Sequence, residues 1–160
     1  MSTNLTSGSS PHLDGTGRRI ALVCARFNDL IVDRLEAGAR RALRSVGVSE
    51  TDIETIRVPG ALEAPSAIKA IVTAGRFDAV VALGAVMRGD TYHFEVVSDQ
   101  SAAGIMQVAL DTGAVITNGI LTVDTVEQAD ERSGDDDQNK GAGAALAAIE
   151  MLMVLNDIDS

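Results

Sequence analysis

Aromatic side chains are nearly missing from this 160-residue sequence, which has no Trp, one Tyr and three Phe. Proteins that hold unpaired nucleic-acid bases stack them on aromatic platforms, and those that grip phosphate backbones need basic patches. Here 13 basic residues stand against 23 acidic ones, a formal net charge of −10. These two shortages exclude nucleic acid and leave small molecules or proteins as partners. A single cysteine, Cys24, cannot form an internal disulfide. No run approaches the ~20 consecutive apolar residues of a membrane span, and the N-terminus lacks the basic start and apolar stretch of a signal peptide. The expected setting is therefore the reducing cytoplasm, away from membranes. Also missing are the phosphate loop ending in Gly-Lys-Ser/Thr, the glycine-rich dinucleotide turn after the first strand, and the nucleophile elbow around a serine. Nucleotide hydrolysis, dinucleotide binding and serine hydrolysis lose their sequence support.

What is present is 46% hydrophobic, in a length that fits one domain. Residues 1–17 are rich in Ser, Thr, Gly and Asn with little to bury, and are expected to form a flexible N-terminal arm outside a single domain spanning 18–160. From Arg18 onward, strand and helix patterns alternate. Ile20–Ala25 and Ala79–Val86 are continuously apolar, as strands covered on both faces require. Ile53–Val58 and Ala114–Val123 complete four strands. Leu35, Ala39, Ala42, Leu43 and Val46 recur at helical spacing, with Asn28 or Asp29 as N-cap and Gly47 as the stop. Further helices are expected over Ala61–Ala74, Phe94–Leu110 and Lys140–Leu155, and a short one begins at the capping box of Thr125 and Gln128.

This alternation implies right-handed crossovers and a three-layer α/β/α sandwich: a four-stranded parallel sheet in the flavodoxin-like order 2-1-3-4, with five helices. Ligands in such sheets bind outside the carboxyl ends of the strands, where the chain order reverses. That places the site just after Ala25 and just after Val86.

Both positions are dense in chemistry. The first is followed by Arg26-Phe27-Asn28 and the second by Met87-Arg88-Gly89-Asp90-Thr91-Tyr92-His93-Phe94. Histidine is the side chain that exchanges protons near neutral pH, and of the two here His12 lies in the arm, leaving His93 as the proton-transfer candidate. Gly89-Asp90-Thr91 precedes a helix, whose free N–H groups and positive dipole end suit a phosphate. Arg132, closing the short helix, can offer a forked guanidinium to the same anion or stand as a solvated cation. Arg88 and Lys140 add to a local positive pocket within the acidic surface. Phe27 can stack on a flat heterocycle or staple the first helix, and Glu63 can accept hydrogen bonds from ligand hydroxyls or complement a helix dipole. Cys24 reads as a small core residue, and Asp135-Asp136-Asp137 as a solvated run without the His or Cys that would complete a metal site. No metal is expected.

Arg26-Phe27-Asn28, Val58-Pro59-Gly60-Ala61-Leu62-Glu63, the run Leu83 to Phe94, and Glu127 to Gly134 with Asn139-Lys140-Gly141 closely resemble the 6,7-dimethyl-8-ribityllumazine synthase family, in order and at family spacing from about Arg18 to Leu155. The resemblance implies a cofactor-free transferase of riboflavin biosynthesis. It condenses 5-amino-6-(D-ribitylamino)uracil with 3,4-dihydroxy-2-butanone 4-phosphate and releases phosphate and water. It implies that Phe27 stacks on the pyrimidine, that Ala61, Leu62 and Glu63 hold the ribityl chain and uracil edge, and that Ala85, Val86 and Met87 line the pocket through their backbone. Asp90 and Thr91 take the phosphate position with Arg132 as cationic partner, and His93 carries protons. A neighbouring subunit would contribute Asn118 and Lys140. Where many members carry Phe, this chain has Asn118, which replaces a stacking surface with hydrogen-bonding groups. The resemblance further implies a homo-oligomer, pentameric at least, with the sixty-subunit icosahedral shell and a riboflavin synthase partner as further expectations. The alternatives are a non-catalytic flavodoxin-like flavin- or phosphate-binding module and a shell protein without activity.

Overall fold

The computed structural model describes residues 12–160. Its sheet has the order β2-β1-β3-β4 and every pairing is parallel. The strands are β1 (Ile20–Ala25), β2 (Ile53–Val58), β3 (Ala79–Met87) and β4 (Val115–Val123). Five helices connect and follow them: α1 (Asp29–Ser45), α2 (Ala64–Ala74), α3 (His93–Thr112), α4 (Val126–Arg132) and α5 (Lys140–Asp159). Ile20 lies opposite both Ile53 and Ala79, and Ala79 opposite Val115, so the four strands start level. The expected topology is the one observed.

All six residues of β1 are buried because alternate side chains serve two cores. Ile20, Leu22 and Cys24 join Val81 and Leu83 beneath α1 and α5. Ala21, Val23 and Ala25 face the other way, with Val80, Ala82, Ile68 of α2, and Ile105 and Val108 of α3. Burial, reinforced by the negative charge of Glu36, pushes the Cys24 thiol up to about 12. Cys24 is thus a packing residue.

The alanine-rich α5 is long and apolar enough in length and composition to cross a membrane, although Glu150 and Asp157 interrupt its apolar residues. One face of it, Ala144, Ala145, Ala148 and Ile149, is buried in the core with α1 and the sheet, whereas Met151, Val154 and Ile158 stay exposed. The two helices touch backbone to backbone: a Cβ on Gly141 would sit 2.1 Å from the Leu35 carbonyl oxygen.

Some boundaries differ from those expected. Ala61–Glu63 forms a separate 3₁₀ turn, and α2 starts at Ala64 with Pro65 in its first turn, where a missing N–H costs nothing. α3 and α5 run two and four residues further than the apolar periodicity shows, to Thr112 and Asp159. Residues 12–17 do not stand off the domain. Leu13 packs against the α1/α5 core, and buried Gly15 donates its N–H to the Val46 carbonyl at 2.7 Å. A single apolar side chain and one backbone bond suffice to lay them down; the rest of the expected arm, 1–11, lies outside the described residues.

Candidate active site

The site begins where β1 runs out. β3 pairs with β1 only as far as Leu83 but with β4 as far as Met87, and Gly84 is level with Ala25, so the segment Ala85–Met87 projects past the end of β1. That edge, including Ala85, Val86 and Met87, turns toward the loop that follows Ala25. Arg26 donates its N–H to the Val58 carbonyl at 2.9 Å, closing the sheet at this end. Asn28 then takes a left-handed conformation (φ 60), which Asn tolerates better than most residues. Its side chain does not cap α1. The Nδ2 group donates to the Ala85 carbonyl at 2.7 Å instead, tying the loop after β1 to the projecting edge of β3.

Between these ties stands Phe27, 70% exposed. Its ring lies over Gly60: a Cβ there would be 2.9 Å from the ring's Cδ2 and 3.2 Å from Glu63 Oε2. An exposed ring held over backbone meets the geometric need of stacking on a flat ligand, the first of the two roles open to it. Glu63 ends the 3₁₀ turn beside that ring, so the exposed ring and the carboxylate converge on one glycine. Ala61 is buried beneath, and Leu62 is partly exposed next to it.

The loop after β3 supplies the polar side. Asp90, Thr91, Tyr92 and His93 are all exposed, and His93 opens α3, a helix of 20 residues. Its N–H donates to Thr91 Oγ1 at 3.3 Å. Arg88, expected to help form a positive pocket, is already paired. Its Nε donates to Asp124 Oδ1 at 2.7 Å, its Nη1 donates to the Glu95 carboxylate, and it lies 4.3 Å from the centre of the Phe94 ring. The Asp124 and Glu95 hydrogen bonds raise the Arg88 pKa, and the Arg88 hydrogen bond holds the Glu95 carboxyl below the usual range.

Arg132, Asn118 and Lys140 come together elsewhere. They line a cleft of about 460 Å³ along β4, a strand at the sheet edge, and the start of α5. Phe27, Glu63, Asp90, Thr91 and His93 do not line it. Arg132 donates to the Gln128 carbonyl at 3.0 Å and lies 3.6 Å from Glu131. Asn118 Oδ1 accepts from Ile120 N–H at 2.9 Å, which leaves its NH₂ group for the cleft. The acidic run is exposed, as a solvated run would be: Asp135 lies 3.0 Å from Arg41, and Asp136 Oδ1 accepts from the Gln138 N–H at 2.9 Å.

The family model for 6,7-dimethyl-8-ribityllumazine synthase matches residues 17–156. The chain belongs to this family. Its relatives include 6,7-dimethyl-8-ribityllumazine synthases of Anaeromyxobacter sp. (strain K), 49% identical over 97% of this chain and 94% of the relative, and of Halorhodospira halophila, 51% identical over 89% and 91%. The Leuconostoc mesenteroides protein is 45% identical over 92% and 95%.

In this member of the lumazine synthase family, the structure gathers Phe27, Glu63, Ala85–Met87 and the loop to His93 around the carboxyl ends of β1 and β3, and sets Asn118, Arg132 and Lys140 apart in the β4 cleft. Sequence reasoning missed the part played by Asn28, because an Asn before a helix signals a cap. It also missed the closing of Arg88 by Asp124 and Glu95. The seven-residue spacing of Arg88 and Glu95, about one turn beyond a short loop, is the one signal that could have shown it.

Proposed function

We infer that this chain is a 6,7-dimethyl-8-ribityllumazine synthase, an enzyme of riboflavin biosynthesis. It condenses 5-amino-6-(D-ribitylamino)uracil with 3,4-dihydroxy-2-butanone 4-phosphate, releasing phosphate and water. The observation that carries the reading is the convergence of the exposed Phe27 ring and the Glu63 carboxylate on Gly60, beside the projecting edge of β3. A flat pyrimidine bearing a polyol chain asks for such a place: a ring to stack on, a carboxylate for hydroxyls, and backbone groups for the uracil edge.

The reaction joins an amine to a ketone with loss of water, expels phosphate, and closes the ring with further loss of water. Each stage needs a proton moved, and His93, at the start of α3 next to the Asp90-Thr91 loop, is the group to move it. Proton transfer of this kind is worth roughly 10²–10⁴-fold, and holding the two substrates in contact contributes several kcal/mol more, up to roughly 7–11. The phosphate binds at the Asp90-Thr91 loop through backbone N–H groups, with Arg132 as its cation.

Because Arg132 shares a cleft with Asn118 and Lys140 and not with that loop, we assign all three to the site of a neighbouring copy, in a homo-oligomer that is a pentamer at minimum. Supporting this are the open β4 edge and the apolar side chains α3 leaves outside, Met106 and Leu110, the latter 76% exposed. A head-to-tail contact of two different surfaces closes into a ring when its rotation is a whole fraction of a turn. One buried thiol suits a reducing compartment, and the cytoplasm is the proposed location.

Incubating the protein with both substrates and following the fluorescent lumazine tests the activity; no product from well-folded protein overturns it. His93→Ala lowers kcat, whereas Arg132→Ala raises KM for the phosphate substrate. Mixing the two variants restores part of the lost activity if the halves come from different subunits, and a mixture no better than its parts refutes the shared site.

A further inference from the structure

We propose that Arg88 is a positioning residue for His93, and that it does not bind the phosphate itself. The proposal rests on the reading of the site above. One guanidinium makes three contacts: Nε to Asp124 just beyond β4, Nη1 to Glu95 in the first turn of α3, and its flat face over the Phe94 ring, 4.3 Å from its centre. Its own N–H donates to the Val123 carbonyl at 2.9 Å, carrying the β3–β4 ladder one residue past Met87. Phe94 and Glu95 are the two residues that follow His93, so Arg88 grips the turn that carries the imidazole. Asp124 is anchored in turn, its N–H donating to Gln128 Oε1 at 2.7 Å.

Little else holds this turn. A Cβ on Gly89 would meet nothing within 4 Å, Asp90 to His93 are exposed, and the His93–Thr91 bond is long at 3.3 Å. A phosphate dianion approaching Arg88 meets two carboxylates already bound to it, whose negative charge opposes its own. The planar fork can face two carboxylates and stack on a ring at once, which a lysine ammonium cannot. The charge of Arg88 is therefore spent inside the protein, and its effect on the reaction passes through the placement of His93.

The test compares Arg88→Gln, Arg88→Lys and Glu95→Gln by steady-state kinetics, alone and in a His93→Ala background, with hydrogen exchange of peptides covering 88–96. Arg88→Gln and Glu95→Gln each lower kcat about tenfold, since a displacement of about 1 Å at a reacting group can cost up to ~10²-fold. KM for the phosphate substrate stays within about twofold, Arg88→Lys does not rescue, and exchange over 88–96 quickens. In the His93→Ala background the loss of kcat disappears. A direct phosphate ligand gives the opposite signs: KM rises with Arg88→Gln and falls with Glu95→Gln, which frees the cation. That result overturns the proposal, as does a fall in thermal midpoint with kcat intact, or a loss that persists without His93. If the unaltered protein makes no lumazine, the functional reading fails by itself. The exchange data then decide the tie: unchanged exchange in Arg88→Gln overturns it, and faster exchange over 88–96 in both variants upholds it.

Discussion

Gly60→Ala isolates the proposed pyrimidine platform from the rest of the protein. Gly60 is in extended backbone (φ −155, ψ −178) that any residue adopts, so the new methyl brings no backbone strain. It would lie 2.9 Å from Phe27 Cδ2 and 3.2 Å from Glu63 Oε2, and both are the outer ends of side chains that can swing away. Ordinary carbon contact begins near 3.5 Å, so the ring must retreat by about 0.6 Å, and a gap of that size forfeits about a quarter to a half of a contact's attraction. Stacking a base on an aromatic ring is worth roughly 1–3 kcal/mol, so the loss is about 0.5–1 kcal/mol, or about two- to fivefold in affinity. Steady-state kinetics should show that increase in KM for the pyrimidine substrate, with kcat within about twofold and a thermal midpoint within about 2 °C of the parent. Phe27→Ala removes the whole platform and must raise the same KM further, by at least about fivefold. The reasoning is refuted if Gly60→Ala leaves KM unchanged, or if Phe27→Ala costs less than Gly60→Ala. In either case the ring over Gly60 is not where the pyrimidine lies.

Gly141→Ala presses a methyl into the Leu35 carbonyl at 2.1 Å, where no side chain can yield, so α1 and α5 must part. Overpacking of this kind costs about 3 kcal/mol, a fall of about 10 °C in thermal midpoint, whereas Gly143→Ala on the same helix meets nothing within 4 Å and holds or gains up to ~1 kcal/mol. Equal effects at the two positions would refute the close approach. Burial acts to raise the Glu36 carboxyl, but the Thr55 hydroxyl and the Arg57 and Arg40 guanidinia outweigh it and hold the pKa below the usual range. Such a group stabilises fully above its unfolded pKa, near ~4.3, and loses that contribution as pH falls toward the lowered value. Glu36→Gln therefore costs about 2 kcal/mol at pH 7 in denaturant unfolding, and the difference shrinks below about pH 4; a difference constant from pH 7 to 3 refutes the assignment. Cys24, fully buried with its thiol at about 12, reacts with thiol reagents at pH 8 only on unfolding, and rapid labelling of the folded protein contradicts the packing described.

The fold was legible because its rules are local. β1 and β3 are buried on both faces and so read as unbroken apolar runs, and Gly75 and Gly113 stop α2 and α3 in the left-handed conformation that favours glycine. The site was legible as a set of loops, since a parallel sheet puts function at its carboxyl edge. Helix ends were less so. Pro65 splits the expected Ala61–Ala74 helix, and Asn28 spends its amide on Ala85, 57 residues away, where a cap needs only three.

The cations show where reading by sequence must stop. Arg88, Arg132 and Lys140 looked alike as positive residues able to meet a phosphate within an acidic chain. In the structure Arg88 is held by two carboxylates, 7 and 36 residues away in the chain, whereas Arg132 has the Gln128 carbonyl and a single exposed carboxylate, Glu131, at 3.6 Å. An ion pair this exposed is worth ~1 kcal/mol or less, so a phosphate can take Arg132 at small cost. Freeing Arg88 from Asp124 and Glu95 breaks two charge-assisted hydrogen bonds at once. A net charge is a sum over the whole surface. Which cation meets the substrate is decided by what each has already paired with, and that follows from which strands and helices the fold sets side by side.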